Sequence, residues 1–261
     1  MPNPDWNKRA ARARELISET PAAAELLRFY APVLDFQGRL YSAVSHTAAD
    51  AQRSLRAQLD PGLLVPLFPE LLAVVEAHGT AQLREAAGGL RRLGEPSWRE
   101  LLLDYLGGQQ EDKGPAQFFV RACVEPYAEH LASQFGARPP HTTSSCPACA
   151  GRPMLAVLRP EGEGARRSLL CSFCLIEWEF RRLLCPICGE ENERNLPVYT
   201  SEGLPYLRVE SCDTCHHYLL CVDLSKNGLA IPLVDQIAAA PLDLWAAEKG
   251  YRKVATNLLG F

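Results

Sequence analysis

An all-α N-terminal half followed by a cysteine-rich α+β half is the fold class this sequence predicts. Three observations carry it. Nine of the ten cysteines lie between Cys146 and Cys221. Over the first ~135 residues, apolar side chains recur at helical spacing, with helix-start signals between the stripes. Within the cysteine region fall four Cys-x-x-Cys pairs, each able to aim two sulfurs at one ion.

The helical half takes its elements from caps and stripes. Asn3-Pro4, Thr20-Pro21 and Asp60-Pro61 each place a capping residue before a proline, which suits the first helical position. Leu27, Tyr30, Leu34, Tyr41 and Val44 form one apolar stripe, and Pro32 inside it is expected to kink or break the helix. Leu63, Leu64, Leu67, Leu71, Leu72 and Val75 form another, and Gly79-Thr80 can end that helix and cap the next. Gly107–Pro115 reads as a loop and Ala116–Ser133 as a long helix. Cys123 on that helix has no ligand partner nearby in sequence and reads as a small buried hydrophobe. A linker by composition, Ala137–Ser145, follows. At the other end of the chain, an amphipathic helix is expected from about Pro241 to Leu258, with Leu242, Leu244, Trp245, Ala246, Tyr251 and Val254 available for packing.

Composition narrows the function classes. The net charge is −4 at pH 7, so a general electrostatic footprint for nucleic acid is absent. Between His141 and Cys215 there are eight arginines, no lysines and ten carboxylates, and two divalent ions among eight thiolates add a further formal −4. Phosphate affinity needs the opposite balance. No apolar run reads as a bilayer span, and the charged start Met1–Arg9 has no signal core, so neither membrane insertion nor export is expected and the cytoplasm is the expected compartment. In a reducing compartment, clustered cysteines are metal ligands or redox groups, not disulfides. No acid/base pair, nucleophile elbow or nucleotide loop stands out, so a binding role and not an enzyme is expected.

The four pairs are Cys146/Cys149, Cys171/Cys174, Cys185/Cys188 and Cys212/Cys215. Two residues between cysteines allow a tight turn, or knuckle, whose backbone N–H groups stabilise the sulfur charge, and two knuckles complete one four-ligand site. An internal repeat argues which knuckles pair. Cys146-Pro-Ala-Cys149 is similar to Cys185-Pro-Ile-Cys188, and each is followed by strand-like runs and a second knuckle. The runs are Met154–Leu158 and Ser168–Leu170 in the first unit, Leu196–Thr200 and Tyr206–Val209 in the second. Each unit reads as knuckle, β-hairpin, knuckle: a zinc-ribbon or rubredoxin-like module. One ion is expected on Cys146, Cys149, Cys171 and Cys174, and another on Cys185, Cys188, Cys212 and Cys215. A cross-brace is the rival, but it normally brings the second and third pairs almost together, and here Leu175–Leu184 separate them. Tetrahedral sulfur sites suit zinc and iron equally. Cys212-Asp-Thr-Cys215-His216 also fits a c-type haem attachment string, which would need export. His216 and His217 read as groups behind the ligands or on the surface. Cys221 reads as a strand residue or, less simply, as a reactive thiol near the second site.

These strings resemble the formate dehydrogenase accessory proteins, the E-type maturation factors. The likeness rests on Cys146-Pro-Ala-Cys149 with Gly151-Arg-Pro153, on Leu170-Cys-Ser-Phe-Cys-Leu-Ile-Glu-Trp178 and on Cys185-Pro-Ile-Cys-Gly189. It continues through Glu210-Ser-Cys-Asp-Thr-Cys-His-His-Tyr-Leu219 and Leu242-Asp-Leu-Trp-Ala-Ala-Glu-Lys-Gly-Tyr251. Arg9-Ala-Ala-Arg12 and Leu26-Leu-Arg-Phe-Tyr30 are similar to the family's helical start. Ala150 departs from a frequent glycine, and Leu220 from a usual lysine. The resemblance implies a helical domain followed by tandem rubredoxin-like modules; with the linker and the C-terminal helix read above, the boundaries fall at 1–136, 137–182, 183–234 and 235–261. It implies a cytoplasmic maturation factor or chaperone that binds the catalytic subunit of a respiratory formate dehydrogenase, with two metal ions, iron favoured over zinc. The rival expectation is a rubredoxin-like electron carrier. Oligomeric state is left open. The expected contact surface comprises the ribbon edges, with their unpaired strand groups, and the exposed Glu177/Glu179/Arg181/Arg182 stretch between the modules.

Overall fold

The computed structural model describes residues 4–108, 114–135 and 143–261. Asn3 of the first predicted cap, the middle of the predicted 107–115 loop and most of the 137–145 linker lie outside the described residues. Two compact units emerge, and their division is not at one point in the chain. The first comprises residues 1–11 and 28–136, the second 12–27 and 137–261.

The first unit is helical. Its elements are the start of α1 (Trp6–Glu19), α2 (Ala24–Val44), α3 (Pro61–Leu64), α4 (Phe68–His78), α5 (Ala81–Leu93), α6 (Glu95–Leu106) and α7 (Pro115–Ser133). The predicted stripe of α2 is buried at every position from Leu27 to Val44. Of the expected kink or break at Pro32, the break does not occur: α2 stays helical through it. Phe29, Tyr30, Ala31, Val33 and Leu34 around it are all buried, and their packing outweighs the roughly 3 kcal/mol that an internal proline costs. Asp60 caps α3 by accepting from the Gly62 amide at 2.8 Å, and Thr80 caps α5. Thr20 does not cap; its hydroxyl donates back to the Leu16 carbonyl at 2.7 Å. Pro61–His78 has the length and composition of a membrane span, contrary to the sequence expectation. It is broken by a 3-10 turn at Val65–Leu67, and Leu64, Val65, Phe68, Leu71, Leu72 and Val75 are buried. On α7, buried from Phe118 to Ala132, Cys123 sits in the core and the charges are paired: Arg121 with Glu125 at 2.9 Å, and Glu129 with both terminal nitrogens of Arg9.

The second unit is built on one sheet. Strands β1 (Pro153–Glu161), β2 (Gly164–Cys171) and β3 (Glu177–Glu179) belong to the first cysteine module; β4 (Val198–Ser201), β5 (Leu204–Cys212) and β6 (His217–Asp223) belong to the second. Each module supplies antiparallel hairpins, as predicted. The order β3-β2-β1-β6-β5-β4 shows what the repeat does not: β1 and β6 lie side by side in parallel, Leu155–Leu158 against Leu220–Asp223. Helices α8 (Pro232–Ala238) and α9 (Ala240–Glu248) follow. The expected helix to Leu258 stops early because Gly250 takes a left-handed φ of 85°. The chain then turns into β7 (Arg252–Lys253), parallel to His217–Tyr218 of β6. Val254 and Ala246 are buried as expected, whereas Leu244 is exposed.

Buried polar groups fasten these elements. Asp235 on α8 is fully buried and accepts from Arg12 at 2.8 Å, from the Tyr206 hydroxyl at 2.8 Å and from the Ile231 amide at 2.7 Å. Asp243 on α9 takes Tyr218 and Lys253, each at 2.8 Å. Removing Asp235 takes from Arg12 its shortest ion pair, leaving Glu15 and Glu19 at 3.3 and 3.4 Å, and strips the Tyr206 hydroxyl and the Ile231 amide of their buried acceptor. Asp235→Ala is therefore expected to lower stability by about 3–5 kcal/mol. Arg39→Ala, which breaks the exposed pair with Glu70, should cost about 1 kcal/mol or less. Urea unfolding of the two variants side by side measures the difference, and equal costs would contradict this ranking.

Candidate metal centres

All four knuckles are the same backbone device. The residue following the second cysteine is left-handed each time: Ala150 at φ 58°, Leu175 at 55°, Gly189 at 76° and His216 at 55°. In three of them that residue's amide donates to the first cysteine's carbonyl: Ala150 to Cys146, Gly189 to Cys185 and His216 to Cys212, at 2.8–3.1 Å. The first cysteine's own amide bonds one residue further on, to Gly151, Ile176 and Glu190 at 2.8–3.0 Å, and Cys212 pairs with His217 in the β5–β6 ladder. This left-handed turn explains why glycine suits the position that Ala150 occupies. Amides inside the turns point at sulfur, Ala148 to Cys146 and Ile187 to Cys185 at 3.4 Å.

The hairpins then bring the knuckles together in sequence order. Cys146, Cys149, Cys171 and Cys174 have all four sulfurs within 4.8 Å of one another, and so have Cys185, Cys188, Cys212 and Cys215. Across the first set, Cys146–Cys174 and Cys149–Cys171 are 3.5 and 3.4 Å apart; across the second, Cys185–Cys215 and Cys188–Cys212 are 3.7 and 3.6 Å. A disulfide would be near 2.0 Å. A tetrahedron with metal–sulfur bonds of about 2.3 Å has edges of about 3.8 Å, so the spacing fits a closed four-thiolate site. Burial pushes the Cys171 and Cys174 thiols well up, and a positive ion among the sulfurs would favour their ionised form. Gly151 completes the fit. A Cβ there would lie 2.9 Å from the Cys171 sulfur and 3.1 Å from that of Cys149. Each cluster can therefore hold one metal ion.

The residues around the clusters were only partly visible in the sequence. Glu190 accepts from Thr214, inside the fourth knuckle, at 2.5 Å, and from Asn195 and the Asn192 amide; these bonds, Thr214's foremost, hold its carboxyl down at about 2. No sequence signal marks that role. Neither histidine joins a cluster: His217 pairs through its ring with the Cys215 carbonyl, and the His216 ring lies 6.3 Å from that of Tyr251. Cys221 is a strand residue, fully buried, and burial pushes its thiol well up, as expected of an inert cysteine. Leu220 is buried in β6, facing no surface.

Comparison with known proteins agrees with this architecture. The family model described as the FdhE central domain matches residues 145–182, and that of the FdhE C-terminal domain matches 185–259. A protein FdhE homolog from Pseudomonas aeruginosa is 32% identical over 208 residues, covering 76% of this chain and 67% of its own length. The chain belongs to the FdhE family. An FdhE homolog from Aquifex aeolicus is 28% identical over 258 residues, covering 92% of this chain and 90% of its own. The crystal structure of the FdhE protein from Pseudomonas aeruginosa superposes with a TM-score of 0.71 at 25% identity, over 98% of this chain and 96% of that one. The helical region and the sheet with two cysteine clusters are thus the FdhE fold.

The two clusters differ in exposure. Three cysteines of the first are buried and Cys149 is half-buried, whereas in the second Cys188 is exposed and Cys215 half-buried. A chelator should remove the ions in two phases, the second centre first, and Cys185→Ser should abolish the fast phase. A single rate for both ions, or a fast phase that survives the substitution, would contradict this order. Gly151→Ala should weaken the first centre about 10–100-fold in a metal-competition titration and leave the second unchanged.

Proposed function

We propose that this chain is a cytoplasmic maturation factor that binds the catalytic subunit of a respiratory formate dehydrogenase, and not an enzyme. The observation that carries the reading is FdhE family membership together with two four-cysteine clusters. The cysteine strings that resemble the formate dehydrogenase accessory proteins supply the partner. Two ions per chain are proposed, with iron favoured over zinc on that resemblance. The clusters' closed four-sulfur geometry supports ions that tie the two knuckles of each module together.

An electron-transfer role is the second reading, favoured by the exposure of Cys188 at the second cluster. A visible spectrum and a reversible redox couple on anaerobically purified protein would support it; a colourless zinc protein rules it out.

Deleting the protein in its host should lower respiratory formate dehydrogenase activity while the enzyme's polypeptide is still made. The purified catalytic subunit should bind the full chain directly. Normal activity in the deletion strain, with no paralogue present, would sink the maturation reading.

A further inference from the structure

In the second unit a cavity of about 210 Å³ opens where the third knuckle, the segment before it and strands β4, β5 and β6 meet. Its size selects its occupant. A cavity of about 150 Å³ holds benzene. Small-molecule sites start at about 300 Å³. The space therefore suits one large side chain and not a nucleotide-sized cofactor.

The mouth is apolar. Leu183, Ile187 and Val198 are 51%, 39% and 51% exposed. They are three of the seven large apolar side chains that stand exposed among the described residues, and all three line this one opening. Scattered exposed leucines are ordinary, whereas convergence on a cavity marks an interaction site.

The charges around the opening fall into two groups. Inside, Arg167 and Arg208 both hold Glu210, at 2.8 and 2.6 Å. That leaves one excess positive charge beside Cys185 and Cys212, which also line the cavity. Arg167 also donates to the Arg181 carbonyl at 2.9 Å and its guanidinium lies 5.4 Å from the centre of the Phe180 ring, so both inner arginines are engaged within the protein. At the surface, Arg166 pairs with Glu179 and Arg181 with Glu191. Arg182, exposed and lining the cavity, donates only to the Ala165 carbonyl at 3.4 Å and has no carboxylate partner among the described residues. It is the cation at this opening that lacks an acidic partner.

We propose that this cavity docks a segment of the partner protein carrying a large apolar side chain and a nearby carboxylate. The side chain enters between Leu183, Ile187 and Val198, and the carboxylate meets Arg182. The inference rests on the partner-binding reading above and adds where binding occurs and what chemistry is recognised. Cys185 and Cys212 form part of the wall, so the docked segment sits against the buried side of the second centre, while the exposed Cys188 lies outside the cavity lining.

The test uses the full metal-loaded chain and the purified formate dehydrogenase catalytic subunit. Arg182→Glu, and Ile187→Ser combined with Val198→Ser, should each weaken binding at least about tenfold. Both variants alter exposed side chains, and metal content and far-UV circular dichroism check that they remain folded. The Arg182→Glu loss should shrink at high salt, since exposed pairs are screened within about 10 Å at 0.1 M. Arg181→Glu, at an arginine already paired, should change affinity less than Arg182→Glu. If the wild type binds and the folded variants bind equally well, the cavity is not the docking site and the maturation reading stands. If the wild type does not bind, both readings fall. If the chain alone forms a dimer that the same variants dissociate, the occupant is a second copy and the proposal is overturned.

Discussion

Four residues of β1, Leu155–Leu158, lie in parallel beside four of β6, Leu220–Asp223, and the rest of the cysteine-rich unit depends on that contact. Each module alone offers three strands, one of them only three or four residues long, and would leave the edge of β1 or β6 unpaired. Joined at β1 and β6, they make a single sheet whose central strands carry fully buried Leu155, Ala156, Val157, Cys221 and Val222. The outer strands then extend away on both sides, ending at β3 and β4. The knuckles sit at the ends of these strands, so the position of each cluster follows from the ladder that precedes it.

The four left-handed residues show how little the knuckle asks of side chains. Alanine, leucine, glycine and histidine all occupy the same turn position, each with φ between 55° and 76°. A non-glycine residue there costs roughly 1–2 kcal/mol, so three such positions are held against a local preference. The backbone bonds across the turns offset that cost, and an ion among the sulfurs would offset more of it. Glu190 adds a side-chain tie between two knuckles of the second module.

What was legible in the sequence was local. The Cys-x-x-Cys spacing and the repeated knuckle–hairpin–knuckle order indicate which sulfurs gather, and the structure gathers those same eight. Apolar stripes at Leu64–Val75 and Leu27–Val44 marked buried helix faces. The rest was non-local. Nothing in β1 or β6 announces a parallel partner some 60 residues away, because an apolar strand buried on both faces reads the same with any neighbour. Arg12 reads as one more charge on a helix, yet it lies against Asp235, whose sequence context gives no hint of a buried carboxylate. Pro32 does not end α2 because proline's helix-breaking tendency is a local cost, and the buried packing around it outweighs that cost. The early end of α9 was visible in principle at Gly250, but the apolar residues beyond it continued a helical spacing that the chain uses for β7.

The β1–β6 pairing also bears on how the protein is made. Leu158 leaves the ribosome about 60 residues ahead of Leu220, and at roughly 5–20 residues per second that is a wait of several seconds. During it the first hairpin exists with its apolar β1 edge open, the kind of edge that pairs with other chains. Loading the first cluster early would fold that hairpin but leave the edge bare; only the arrival of β6 closes it. The order of synthesis thus makes the nascent first module the aggregation-prone stage of biogenesis, and the second module its intramolecular cover.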